Sequence, residues 1–293
     1  MSEILKVGIV GAGTMGRRIA FACVARERQT RLFDVSAEAS REALEAVRAL
    51  LAQRLPPGAV DAALARLSVS PSLADCVSDV DLAIETVPES VALKRQVFAE
   101  IGRHADARTL VGTNTSSIPG SWLADASGRP ENVFNFNWGH ADDLKVELMG
   151  HPGTAPATLD SAETFIRTLG LVPIRLQREI VGYASNRVWR AVKKEVLFLI
   201  DQGYLTPGDV DRAWMLDWGT LVGPCGLMDR IGLDVVRDIE MVYYEASGDP
   251  ADRPPQLLLE LIAQGKLGVK TGEGFYHYPD PVYQRAGWLK GKA

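Results

Sequence analysis

Lys6-Val-Gly-Ile-Val10 runs directly into Gly11-Ala-Gly13-Thr-Met-Gly16. The first five residues read as a short buried strand, and the glycines open a helical pattern over 13–26. Each glycine meets a different steric demand: Gly11 permits a tight turn, Gly13 lets backbone approach a pyrophosphate, and Gly16 lets the helix pack close to the sheet. The N–H groups at the helix start, those of Thr14 and Met15 among them, have no partner within the helix. With the helix dipole behind them they form an anion site. The next apolar run, Thr30–Asp34, ends in an acid about 20 residues after the first glycine, where a carboxylate hydrogen-bonds a ribose diol. That charge repels a 2′-phosphate and no arginine follows directly, so NAD is favoured over NADP.

Outward from this unit the alternation continues. Strands are expected at Val80–Thr86, Thr109–Thr113, Asn132–Phe136, Lys145–Met149 and Val172–Leu176, with helices at Ala39–Gln53, Ser90–His104 and Ala155–Leu169. Pro56, Pro57 and Gly58 break the second helical region into a hairpin over Ala39–Leu67. The pattern predicts an α/β fold, a Rossmann-type doubly wound sheet with helices on both faces. After about Val181 the alternation stops. Helical spacing over Arg187–Gln202 ends at Gly203, Thr206-Pro207 offers a cap with proline at the first helical position, and another helix runs from near Pro255 to Gly265. A C-terminal all-helical domain is therefore expected, dividing the chain into a dinucleotide-binding domain over 1–181 and a helical substrate and dimerisation domain over 182–293.

A length of 293 residues accommodates about two domains. With 32 basic against 37 acidic residues and a net charge of −5, no nucleic-acid partner is expected. No apolar run approaches the roughly 18 residues a membrane span needs, and the N-terminus does not read as a signal peptide. Cys23, Cys76 and Cys225 are odd in number and lack metal spacing, as are free thiols of a reducing, cytoplasmic compartment. No metal is expected around His104, His151 or His277.

Six motifs in order carry a resemblance over nearly the whole chain. They are Gly11-Ala-Gly-Thr-Met-Gly16, Glu85-Thr-Val-Pro-Glu89-Ser, Thr113-Asn-Thr-Ser116-Ser117, Gly182-Tyr-Ala-Ser-Asn186-Arg187, Gly223-Pro-Cys-Gly-Leu-Met-Asp229 and Lys270-Thr-Gly-Glu-Gly-Phe-Tyr276. In these the sequence resembles the 3-hydroxyacyl-CoA dehydrogenase family. The resemblance implies cofactor contacts at Glu89, Lys94 and Lys270. It further implies that Ser116 touches both nicotinamide and substrate oxygen, and that Asn186 orients substrate and base from the helical domain. A small-molecule substrate at the interdomain cleft (an acyl-CoA or a small hydroxy or keto acid) and a homodimer are implied as well. Taken singly, Glu89 and Lys94 also read as a surface pair, Ser116 as a turn former and Asn186 as a helix-start cap.

Oxidising a hydroxyl to a ketone requires a proton acceptor, and a histidine held by a carboxylate suits that role. The family histidine begins a His-Phe-Phe-Asn-Pro segment, with a glutamate about twelve residues later. Here the stretch reads Asn135-Phe-Asn137-Trp-Gly-His140-Ala-Asp-Asp-Leu-Lys-Val-Glu147. Glu147 matches the family glutamate, the intervening segment is two residues short, and ungapped counting puts Asn137 at the histidine position; a second register puts Asn135 there. Asparagine transfers no proton. His140 relocated into a dyad with Glu147, or a relay through Ser116 and water, are the substitutes the sequence offers. The missing histidine also leaves open a reductase of a non-CoA ketone or imine and a non-catalytic NAD-binding protein.

Overall fold

The structure, a computed structural model, describes residues 3–139 and 144–292. It divides into two compact units, Met1–Ser185 and Asn186–Ala293.

In the first unit eight strands form one sheet in the order β3-β2-β1-β4-β5-β6-β7-β8. They are β1 Lys6–Val10, β2 Gln29–Phe33, β3 Leu67–Val69, β4 Leu82–Glu85, β5 Leu110–Thr113, β6 Val133–Asn137, β7 Lys145–Met149 and β8 Val172–Leu176. Every neighbouring pair is parallel except β6 and β7, which run antiparallel. The helices are α1 Thr14–Ala25, α2 Ala37–Arg54, α3 Pro57–Leu64, α4 Leu73–Val77, α5 Val91–His104 and α6 Pro156–Thr168. The expected doubly wound sheet is present, and its central strands are buried on both faces as parallel strands must be.

Two apolar layers hold the sheet. Ile9, Ile19, Leu32, Leu51, Ile84 and Phe134 lie in one; Val10, Phe98, Ile101, Val111 and Val133 lie in the other. Each fully buried side chain of this size contributes about 1.5–3 kcal/mol. Close approach sets the glycines: a Cβ at Gly8 would stand 2.5 Å from the Cys76 carbonyl oxygen, so α4 can lie against β1 only over a bare backbone.

The hairpin of α2 and α3 is present, although α2 begins at Ala37, two residues before the expected start, because the Ser36 hydroxyl accepts the Ala39 N–H and caps it there. β3 was not anticipated. It is three residues long, only Leu67 of it is buried, and so it carries no readable alternation.

α7, Tyr183–Asp201, starts four residues earlier than the apolar spacing predicts. Its first turn is fixed by polar contacts described below, which periodicity cannot register. The second unit continues with α8 Pro207–Trp218, α9 Pro224–Ile231, α10 Leu233–Ser247 and α11 Gln256–Ala263. Thr206 caps α8 by accepting the Asp209 N–H, as expected. Gly232, at φ 102°, separates α9 from α10. Apart from isolated bridges among Gly268, Glu273 and His277, the described residues of this unit hold helices and no strand of the sheet. Its core gathers Leu197, Met228, Leu233, Val236 and Leu258. Buried Asp229 accepts the N–H groups of Phe275 and Tyr276 and the Tyr278 hydroxyl, tying the closing motif to α9.

Candidate functional site

In an open α/β sheet, ligands bind beyond the carboxyl ends of the parallel strands. The glycine turn follows β1, Asp34 follows β2, Glu89 follows β4, Ser116 follows β5 and Asn137 ends β6, all toward that edge.

At the end of β1, Gly11 adopts φ 113°, and a Cβ on it would stand 2.6 Å from Thr86 Oγ1. A Cβ on Gly16 would collide with the Gly11 carbonyl oxygen, whereas one on Gly13 would meet no protein atom within 4 Å. Gly13 is the N-cap of α1 and supplies no side-chain cap, and the first turn contains no acid. The N–H groups of Thr14, Met15 and Gly16 therefore open an electropositive helix end onto clear space. Asp34 ends the next strand. Its Oδ2 accepts the Ala12 N–H at 2.8 Å and its Oδ1 the Ser36 N–H at 2.9 Å, which ties the acid to the glycine turn. Bare backbone at Gly13, a helix start without acid and a carboxylate beside the turn fit a dinucleotide.

Glu89 and Lys94 do not form a surface pair. Lys94 is 1% exposed; its Nζ donates to Glu85 Oε1 at 2.8 Å and to the Val87 carbonyl at 3.0 Å, and lies 3.4 Å from Glu89 Oε2. Glu85, fully buried, also accepts the Val87 N–H and the Thr113 hydroxyl. Burial pushes the Glu85 carboxyl up, against the opposing pull of Lys94, Thr113 and Val87. Lys94 thus braces the loop after β4 from inside, and Glu85 ties it through Thr113 to the start of the loop after β5. Glu89 grips the second of these loops: its Oε1 accepts the Thr115 hydroxyl at 2.5 Å, the Ser117 hydroxyl at 2.7 Å and the N–H groups of Ser116 and Ser117. Burial alone would raise the Glu89 carboxyl, but the hydrogen bonds from Thr115 and Ser117 and the charge of Lys94 outweigh it, leaving the group below its ordinary value. Ser116 is therefore presented on a clamped turn.

The register of β6 and β7 gives the two candidate asparagines different partners. Asn137 pairs with Glu147, and Asn135 pairs with Met149. Asn137 Nδ2 lies 3.5 Å from Glu147 Oε2, while Asn135 Nδ2 is turned to the Ile118 carbonyl and the Tyr183 hydroxyl. Glu147 is 1% exposed, so its charge needs partners. Its Oε1 accepts the N–H groups of Ala184 and Ser185, both at 3.0 Å, and its Oε2 lies 3.7 Å from Lys145 Nζ. The carboxylate thereby caps the start of α7, which explains why that helix begins where it does.

His140 lies outside the described residues. Asn186 and Lys270 belong to the second unit, where Lys270 Nζ is held by both oxygens of Asp234 at 2.5 Å. Among the described residues no group of three or more His, Cys, Asp or Glu could hold a metal.

Four residues near the site escaped the sequence reading. Tyr183 donates its hydroxyl to the Thr115 carbonyl at 2.8 Å, fastening the clamped turn from α7, and Asn114 Oδ1 accepts the Trp138 N–H. Lys145 Nζ donates to Ser185 Oγ at 2.7 Å. Tyr183 and Ser185 stood within a recognised motif, Asn114 within another, and Lys145 two residues from Glu147; the signal was adjacency without a role.

Comparison with known proteins agrees with this geometry. The model of the 3-hydroxyacyl-CoA dehydrogenase NAD binding domain matches residues 6–180, and that of the C-terminal domain of the same family matches residues 182–278. A 3-hydroxybutyryl-CoA dehydrogenase of Bradyrhizobium diazoefficiens is 31% identical, over 94% of this chain and 96% of the relative. A 5-formyl-3-hydroxy-2-methylpyridine 4-carboxylate 5-dehydrogenase of Mesorhizobium japonicum is 29% identical, over 94% and 91%. The crystal structure of (S)-3-hydroxybutyryl-CoA dehydrogenase from Ralstonia eutropha is similar with a TM-score of 0.87 at 30% identity, covering 95% of this chain and all of that one. No described helix is long and apolar enough to cross a membrane. With both family models laid end to end over a glycine cradle built for a dinucleotide, the chain belongs to the 3-hydroxyacyl-CoA dehydrogenase family, as an NAD-dependent dehydrogenase acting on a CH–OH group.

Proposed function

We propose that the chain interconverts a 3-hydroxyacyl group and its 3-keto form, with the reacting carbon presented at the rim formed by the Ser116 turn, Asn137 and Glu147. Bound NAD supplies or accepts the hydride. The turn of Gly11, Gly13, Thr14, Met15 and Gly16 holds the pyrophosphate, and Asp34 holds the ribose diol. Glu89 and Lys94 act mainly by bracing: they fix Ser116, whose hydroxyl orients the substrate oxygen. Asn137 donates its amide to that oxygen. Asn186 and Lys270 are proposed contacts of substrate and cofactor, and the proton passes through a group held by Glu147, for which His140 is the residue the sequence offers. The observation that carries the reading is the placement of the clamped turn and the Asn137–Glu147 pair toward the same sheet edge as the glycine cradle.

The acyl carrier is the finer question. The α2–α3 hairpin mixes Arg41, Arg48, Arg54 and Arg66 with Glu38, Glu42, Glu45 and Asp61, and Arg48 is engaged by Asp61 at 2.7 Å. This mixed charge favours a small hydroxy or keto acid as the second reading beside a CoA thioester. NADH consumption with acetoacetyl-CoA, free acetoacetate and a cyclic imine separates them, and NADH binding without turnover of any supports a purely binding role.

A homodimer is part of the same proposal. It is supported by exposed apolar side chains of the second unit, Trp218 at 70%, Leu221 at 89% and Val242 at 62%. Sedimentation velocity tests it, a single monomeric species being the contrary result. The three buried cysteines, with burial raising Cys23 and Cys76 to about 12, support a reducing, cytoplasmic location.

A further inference from the structure

The cluster on β6 and β7 contains a charge that the functional reading leaves idle. Lys145 opens β7 two residues before Glu147, so both side chains leave the same face of the strand. β7 runs antiparallel to β6, so its first residue lies toward the edge where β5 and β6 end. Lys145 Nζ stands 2.7 Å from Ser185 Oγ and 3.7 Å from Glu147 Oε2, with 41% of its side chain exposed. The contrast with Lys94 is direct: that ammonium is sealed among Glu85, Val87 and Glu89 and cannot meet a substrate. Asn137, across the ladder, has an amide that neither gives nor takes a proton. Converting a ketone to an alcohol leaves negative charge on oxygen and is completed only by a proton.

We propose that Lys145 is the proton-transferring residue of this site, acting from β7 where Asn137 cannot; the assignment rests on the dehydrogenase reading above. In the reducing direction the carbonyl carbon takes up hydride and its C–O π pair moves onto oxygen. An N–H bond of the Lys145 ammonium then breaks as the O–H bond forms. The lysine is left a neutral amine and regains a proton from water. Oxidation reverses each event, the neutral amine taking the hydroxyl proton. Glu147 is a positioning residue: its Oε1 is occupied by two backbone N–H groups, which leaves Oε2 to steer the ammonium. Ser185 anchors Nζ from the other side.

The test uses Lys145→Met and Lys145→Arg in the full chain, with NADH affinity by fluorescence titration reporting that each variant folds. Both are expected to bind NADH within about threefold of wild type and to lose about 100-fold or more in kcat for ketone reduction. Arginine keeps the charge but not the transferable proton, so its KM stays near wild type while its kcat falls. A readout independent of turnover is acetic anhydride labelling mapped by mass spectrometry: NAD with acetoacetyl-CoA or acetoacetate is expected to shield Lys145 and not exposed Lys290. A wild type that turns over, together with Lys145→Met retaining kcat within about threefold or with Lys145 unshielded, overturns this assignment alone. A wild type that binds NADH and reduces no ketone overturns the functional reading and the assignment with it.

Discussion

Asn137 stands directly across the β6–β7 ladder from Glu147, its amide nitrogen 3.5 Å from a carboxylate that also holds two N–H groups of α7. An imidazole at that position would face the same acid, and a histidine titrates near neutral pH. Asn137→His is therefore expected to raise kcat for oxidation of a hydroxy substrate at neutral pH by about tenfold or more. Steady-state NADH formation measures it; an unchanged rate would show that the pairing does not place a base beside the reacting hydroxyl.

His140 and Lys145 are rivals for the proton. If Lys145 carries it, His140→Ala costs less kcat than Lys145→Met by about tenfold or more. The reverse ranking, at equal NADH affinity, moves the role to His140.

The glycine turn separates binding from folding. A methyl group at Gly13 meets no protein atom, so Gly13→Ala is expected to melt with the wild type yet lose about tenfold or more in NADH affinity, because the methyl fills the space where phosphate must approach. Gly16→Ala forces α1 away from the Gly11 carbonyl and is expected to cost about 1–3 kcal/mol of stability. Thermal melts and titrations on the same samples check both; equal losses of affinity without any change in melting would contradict the packing argument.

Glu89 gives a pH signature. Its carboxyl is held below the ordinary value, so its contribution is present above the unfolded-state range and fades as pH falls through the lowered folded value. Glu89→Gln is expected to cost about 1–2 kcal/mol near neutral pH, a figure discounted because the side chain is 38% exposed. The gap between variant and wild type should narrow as pH falls below the ordinary carboxylate range and close only below the lowered folded value. A gap that widens in acid would mean the carboxylate does not clamp the Ser116 turn.

Much of the fold was legible because it rests on local signals. Period-two and period-3.6 patterns, the glycine turn and the Thr206-Pro207 cap all act within a few residues. β3 was not legible, since three residues with one buried side chain carry no period. α9 and α10 were passed over although Gly232 marks their junction. The cofactor turn could be read for the same local reason. The rim could not: Lys145 meets Ser185 across 40 positions and Glu147 meets Ala184 across 37, so only the folded chain reveals those pairings. Lys94 reads from its motif as a cofactor contact, and its burial was not legible because a lysine's exposure is set by the cavity around it, here built by Glu85 and the Val87 carbonyl. Which of Asn135 and Asn137 faces Glu147 is set by the ladder itself.

The reversed course of β7 determines what kind of backbone carries the chemistry. A strand returning toward the ligand edge brings a second set of side chains there, aimed by the ladder of Asn135–Asn137 with Glu147–Met149. Pleating fixes the direction of each of those side chains, so reagents mounted on this pair keep a constant aim that groups on loops alone would lack.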